Sequence, residues 1–431
     1  MAVLLLLMLM SALGAALAVS GRTETLMARN HQSAAQARAA AEAGINHALP
    51  VVASHLFAWR AHGFVNVQDA VNALLADTAV LQPDVTFGTR LTVTGTIGYE
   101  VFLMDEDDPA RGDAATDLKG DADSTNDEDG KAATDANRTL VIQAVGYADN
   151  GGSALVEAML GPTPLPAIVT NGDFRISGHP TVAGKKGGVH ANGALTLSGH
   201  PTIALDATAS GTYDESGHPT VGGIAGGGVS KLPVPPIRAA DFRPLADYIL
   251  TANGQMTLPS GGVVCDAASK KDNCKKDYGV EFTKDGKGWE IKGKDLASGT
   301  YYVEGQVGVH DPGGSKKEPI QFSVIAEGSV DVHGESRAWT PDTIDLLLVT
   351  DGDLRITGGS KTPMTAQGQI LVHEQLDISG HPELLGQILV EDAASVDNLA
   401  TKNEISGHPT ITYDGGLDTG VFSLIGWREG R

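Results

Sequence analysis

The chain opens on an uninterrupted apolar run. Residues 2–19 carry no charge and are dominated by Leu and Met. Those 18 residues sit near the lower limit for spanning a bilayer core. Residues 20–49 change to a polar helical pattern with no Pro and two Gly. Small apolar residues recur there at Ala34, Ala37, Ala41 and Ile45, with Leu49 beyond them. The pattern predicts one helix over about 2–49, roughly 70 Å long, apolar in its first half and amphipathic in its second. A cleavable signal peptide is the competing reading. Ala16-Leu17-Ala18 is an Ala-x-Ala-like site, but no basic residue precedes Arg22. Past Pro50, VVASHLFAWRAHGF continues in helical character. A second helix is predicted to start at Asn66, with Asp69 three residues on.

The period then changes to two. Residues 84–104 alternate, are rich in Thr and Val, and predict two strands around a Gly turn. Residues 139–160 predict a hairpin across Asp149-Asn150-Gly151-Gly152. Further on, a pentapeptide repeats. Ser-Gly-His-Pro-Thr begins at Ser177, Ser198, Ser216 and Ser406, and Ser-Gly-His-Pro-Glu at Ser379. Each copy lies between short apolar strands, at separations of 21, 18 and 27 residues. Such spacing predicts a β-solenoid, in which no coil buries its own apolar face and the coils must stack. Gly permits a positive φ in each turn and Pro forbids a helix. The Pro-rich stretch 231–245 breaks the repeats, and an inserted lobe over about 231–300 is predicted before they resume near Tyr301.

The segments LLLLMLMSALGAAL, TETLMARNHQSAAQA and AAAEAGINHAL resemble the N-terminus of PilX-type minor pilins of type IV pilus systems. Ala40–Gly44 (Ala-Ala-Glu-Ala-Gly) is the most specific part. The resemblance covers about 50 of 431 residues. It implies an α+β unit, with the long helix packed on an antiparallel sheet, followed by a right-handed β-solenoid-like domain. The domains expected are a transmembrane or stalk helix (1–50), a pilin-like α+β domain (51–163) with an acidic loop at 105–135, and the repeats (164–431). The resemblance also implies assembly into, or priming of, a pilus or pseudopilus, with other pilins as partners through an assembly helix marked by Leu5, Glu24, Glu42 and Gly44. The chain would sit in the bacterial inner membrane before assembly, then in the pilus or at the cell surface. The displayed solenoid would meet a surface or carbohydrate ligand. Two features depart from the family. Leu5 stands where major pilins carry an acid, and Glu24 lies beyond the apolar run. No basic leader ending in Gly precedes that run, so the resemblance implies a longer product as the substrate of processing.

Composition adds a few constraints. Aromatics are only 5%, so cores must be aliphatic, and 54 Gly point to many turns. A net charge of -22 would repel nucleic acid and anionic membrane surfaces and attract cations. Cys265 and Cys274 predict a disulfide closing a small loop, as suits an exported protein. Within the acidic loop, Asp121, Asp123, Asp127 and Asp129 alternate ahead of Gly130, an oxygen-rich pattern that makes Ca²⁺ a candidate ligand. A solvated acidic loop explains the same residues. The repeat histidines His179, His200, His218, His381 and His408 have three readings: a metal-binding column, a pH-sensitive ladder, or a turn residue whose side chain bonds locally as Asn would. No nucleophile elbow, phosphate loop or zinc-protease helix is present, and His373-Glu374 lacks a second His. The chain is therefore expected not to be an enzyme. The alternative is an exported β-helical polysaccharide-active enzyme or adhesin with a cleaved signal peptide.

Overall fold

The computed structural model describes residues 2–105, 138–267, 274–283, 286, 288–293, 296–312, 319–334, 338–343, 345–359, 364–396 and 399–429. The chain forms two compact units. One holds residues 1–56, 68–162 and 422–431, and the other residues 57–67 and 163–421.

In the first unit, helix α1 (Ala2–Phe57) runs for 56 residues, roughly 84 Å, and passes through Pro50 instead of ending before it. Pro50 is exposed. The predicted hairpins are present: Leu91–Thr94 with Ile97–Asp105, and Leu140–Tyr147 with Ser153–Pro162. At the second hairpin Gly151 adopts φ 84° and the Ala148 N–H donates to the Gly152 carbonyl at 2.8 Å. The sheet is antiparallel throughout, and Phe422–Glu429 is its last strand, paired with Ser153–Pro162. The repeats therefore end at Val421, not at residue 431. The final strand returns to the first sheet because Thr163 and Val421 lie side by side, joined by a 2.9 Å backbone hydrogen bond.

Absent side chains shape the seam between helix and sheet. A Cβ on Gly146 would land on the Ala37 carbonyl oxygen and the Ala41 amide. One on Gly44 would meet Tyr99 Cδ2 at 3.0 Å and Val101 Cγ1 at 3.1 Å. Ala37, Ala40, Ala41, Ile45, Ala48, Val52 and Leu56 are buried along this seam. Ala34 and Leu49 do not belong to the buried stripe, as Ala34 is exposed and Leu49 half-buried. At those levels the sheet is faced instead by Ser33, which hydrogen-bonds to Asn150 Oδ1, and by Ala48, which is smaller than Leu49.

The second unit is a β-solenoid of three sheets. Along one sheet the strands stack in the order Gly288–Gly293, Gln306–Pro312, Val330–Gly334, Leu354–Gly358, Leu376–Gly380, Asn403–Ile405, Phe174–Gly178, Leu195–Gly199 and Tyr213–Gly217, all parallel. This is not sequence order. The chain enters mid-stack at Ile168–Thr170 and winds to one end at Ala225–Gly226. It then crosses to the other end and winds back until Ile388–Val390 pairs with Ile168–Thr170. Inward positions form aliphatic columns, for example Val309, Val332, Ile356, Ile378, Ile405, Ile176 and Leu197.

The stretch expected to be an inserted lobe has two roles. Residues 227–247 form a strap along the outside of the stack. The ends it joins are nine strand steps apart, about 43 Å, within the roughly 69 Å reach of 21 extended residues. Ile237, Ala239 and Phe242 of the strap bury themselves against Val169, Ile325, Val349, Leu371 and Leu389. Residues 248–293 then close one end. Tyr248–Leu250 joins the stack, and Gln255–Thr257 with Val263–Asp266 and Val280–Phe282 with Gly288–Gly293 fold over it as antiparallel pairs. Cys265 and Cys274 are disulfide-bonded within this cap, with Cα atoms 5.7 Å apart. At the opposite end Tyr213–Gly217 has one strand neighbour among the described residues, and Glu215 occupies the register position of the core residue Leu197. An exposed charge on a terminal strand discourages further edge pairing.

Candidate functional site: the long helix and the histidine ladder

The helix divides by burial. Every described side chain up to residue 32 is exposed, including Met10, Leu13, Leu17, Leu26 and Met27, and burial begins at Ser33. Among the described residues no helix is long and apolar enough to cross a membrane. The side chains of residues 1–7, 9 and 12, within the uncharged run, are not among those described. Leu5 lies inside the helix, and Glu24 is exposed upstream of the seam. Glu42 accepts from Arg38 Nε at 2.8 Å, and Arg38 also reaches Glu429 at 2.7 Å. Gly44 is buried in the seam against Tyr99 and Val101. The four marker residues thus fall into two sets: Leu5 and Glu24 in the half of the helix away from the sheet, Glu42 and Gly44 where helix meets sheet.

The pentapeptide turns coincide on one edge of the solenoid. Gly178, Gly199, Gly217, Gly380 and Gly407 all adopt φ between 78° and 87°. A Cβ on Gly407 would meet the Gly380 carbonyl oxygen at 2.8 Å. The conformation and the stacking distance therefore both require Gly. The backbone ladder continues through the bend. The His179 N–H donates to Gly407 O, His200 to Gly178 O and His218 to Gly199 O, each at 2.7 Å, and His408 to Gly380 O at 2.8 Å. Pro180, Pro201, Pro382 and Pro409 are buried beneath.

The five imidazoles stand above one another in the order His381, His408, His179, His200, His218. Successive ring centroids are 4.9, 4.9, 4.9 and 5.4 Å apart. The first three steps are close to parallel, at 2°, 15° and 7°, and the last ring is tilted by 46°. Among the described residues no protein group hydrogen-bonds to these rings, and His381 Nδ1 is buried without a partner. The Asn-like reading, in which the side chain bonds locally, does not describe them.

Beside the ladder, the outer face of the same sheet carries Asp331, Arg355, Asp377, Glu404 and Arg175 in register. Burial alone would raise the Asp331 carboxyl. Hydrogen bonds from Arg355 and His333, the latter at 2.8 Å, outweigh it and hold Asp331 below the ordinary carboxylate range. Burial and then the Glu404 charge push Asp377 up. The four acids Asp121, Asp123, Asp127 and Asp129 lie outside the described residues. Among the described residues no three His, Cys, Asp or Glu side chains converge as a metal site.

Sequence reading overlooked the fastenings of the strap. Arg238 reaches Glu391 at 3.1 Å, Arg243 reaches Glu304 at 3.0 Å, and Asp351 accepts from the Ala239 N–H at 2.5 Å. It also overlooked Asp353, fully buried and accepting from Gln375 N, Ser395 Oγ and Ala400 N. The Arg-bearing Pro-rich segment and the recurring acid just past each outward strand were the available signals.

Neither a family model nor a curated protein matches this sequence. Among solved structures, the crystal structure of the competence-associated pilin ComZ from Thermus thermophilus overlaps 92% of this chain and 98% of that chain, at 12% identity and a TM-score of 0.28.

Proposed function

We propose that this chain is a structural minor pilin or pseudopilin-like component of PilX type. Its helix inserts in the bacterial inner membrane and then packs among other pilins, so that the chain enters or primes a type IV pilus-like filament and displays its solenoid at the cell surface. One observation carries the reading: α1 is a single element whose second half is sewn to a sheet, while every described Leu and Met side chain of its first half is exposed. Apolar side chains left uncovered over that length need a bilayer or other helices around them. The solenoid fits a display role, since its stack presents long, regular outer faces and the chain carries no catalytic motif.

Replacing Leu13 and Leu17 with Lys tests the reading. Chain recovered from sheared filaments should fall below detection while the soluble-domain circular dichroism is unchanged. Undiminished recovery of the variant from filaments would contradict assembly through this helix.

A further inference from the structure

The pentapeptide has two residues whose identity the fold demands and one that it does not. Gly is fixed by its φ and by the carbonyl beneath it, and the buried Pro by packing. The His contributes its backbone N–H to the ladder, which any residue but Pro would supply. Its ring holds no turn together, yet it recurs on five neighbouring rungs. Four of the five, His179, His200, His218 and His408, are exposed.

We propose that this edge is a binding site for divalent transition-metal ions such as Zn²⁺, each held by imidazoles from two adjacent coils with water completing the shell. Neutral imidazole is a ligand suited to Zn, Cu and Ni. Zinc–nitrogen bonds are about 2.0–2.1 Å, so two donors on one tetrahedral ion lie about 3.4 Å apart, each with its in-plane lone pair aimed at the ion. Rings stacked 4.9 Å apart and within 15° of parallel must close by about 1.5 Å and turn out of the stack so that their nitrogens converge on the ion. Rotation about χ of exposed side chains supplies that, and the last pair is already tilted by 46°. The negative charge of the chain, -22, favours cation accumulation at its surface. The stacked pair His310 and His333 is a separate case, because His333 Nε2 is held by Asp331 at 2.8 Å.

The stacking order makes the proposal testable at constant histidine count. Full-length chain in detergent is dialysed against Zn²⁺ with millimolar Ca²⁺ present to occupy the acidic loop, and bound zinc is counted. Five rungs form two separate neighbouring pairs. Replacing His408 and His200 by Asn leaves His381, His179 and His218, no two of them adjacent, and should abolish both ladder ions. Replacing His381 and His218 instead leaves His408, His179 and His200 in sequence, and should retain one. Unchanged circular dichroism and melting temperature confirm the fold of both variants. Equal zinc in the wild type and both variants, or equal loss in both variants, would overturn the proposal.

Discussion

The two units both rely on missing side chains, but in different geometries. In the helix-and-sheet unit Gly146 removes a Cβ at a single point, where a strand lies directly on the backbone of α1. In the solenoid Gly178, Gly199, Gly217, Gly380 and Gly407 remove one at every turn of a column, each against the rung next to it. The first is a seam that everything near it shares. The second is a repeated local need, so damage to one rung can be confined to its neighbours. The units also differ in how their sheets end. Among the described residues the antiparallel sheet keeps two edge strands, Leu91–Thr94 and Phe422–Glu429, whereas the solenoid ends in a disulfide-bonded cap on one side and an exposed Glu215 on the other.

That contrast orders the expected effects. Gly146→Ala should be the most damaging, at about 3 kcal/mol, because both atoms it meets belong to the helix backbone and cannot move aside. Hydrogen exchange resolved by segment should show the loss throughout the first unit and none in the solenoid. Gly407→Ala, in the middle of the ladder, should cost about 2 kcal/mol from the left-handed backbone and the Gly380 carbonyl. Its exchange should rise in the rungs at Gly380 and Gly178 and leave the cap protected. Uniform loss over the solenoid would show that the rungs melt as one.

Replacing Cys265 and Cys274 with Ser opens a loop spanning nine residues, worth about 2.5 kcal/mol in chain entropy. Only residues 248–293 should lose protection, so its effect on global melting should rank below that of Gly407→Ala. Arg243→Ala should cost about 1 kcal/mol or less, since its partners Glu304 and Glu327 are partly exposed. Exchange along 227–247 is the readout.

The smallest effect is one of pH. Asp377 has a folded pKa raised by burial and by Glu404, so the native state binds its proton more tightly than the unfolded chain does. Its contribution to stability is present below the unfolded pKa and is lost as pH rises through the folded value. Asp377→Asn should therefore flatten the decline in stability as pH rises above the ordinary aspartate range of about 4. A steeper decline in urea midpoints would reverse the assignment.

Local elements were legible in the residues themselves. The helix followed from an absence of breakers, the hairpin from Asp149-Asn150-Gly151-Gly152, and the coils from the repeated pentapeptide. The loop disulfide followed from two cysteines set close together in the chain. Long-range pairings were not legible. Nothing near Ile388 says that it pairs with Ile168, and nothing near Phe422 says that it rejoins Ser153–Pro162. The histidine ladder depended on the same fact. His381 and His408 precede His179 in space although they follow it in sequence. The strap looked like a linker because its apolar residues are scattered, and only the stack supplies the surface they cover.

The proposed role depends most on α1 remaining one helix in the working protein. The direct test is N-terminal sequencing of the chain recovered from membranes and from sheared filaments. A mature terminus at or before Ala2, with the exposed half of the helix retained in both fractions, is the predicted result. A terminus after Ala18 in both fractions would contradict it.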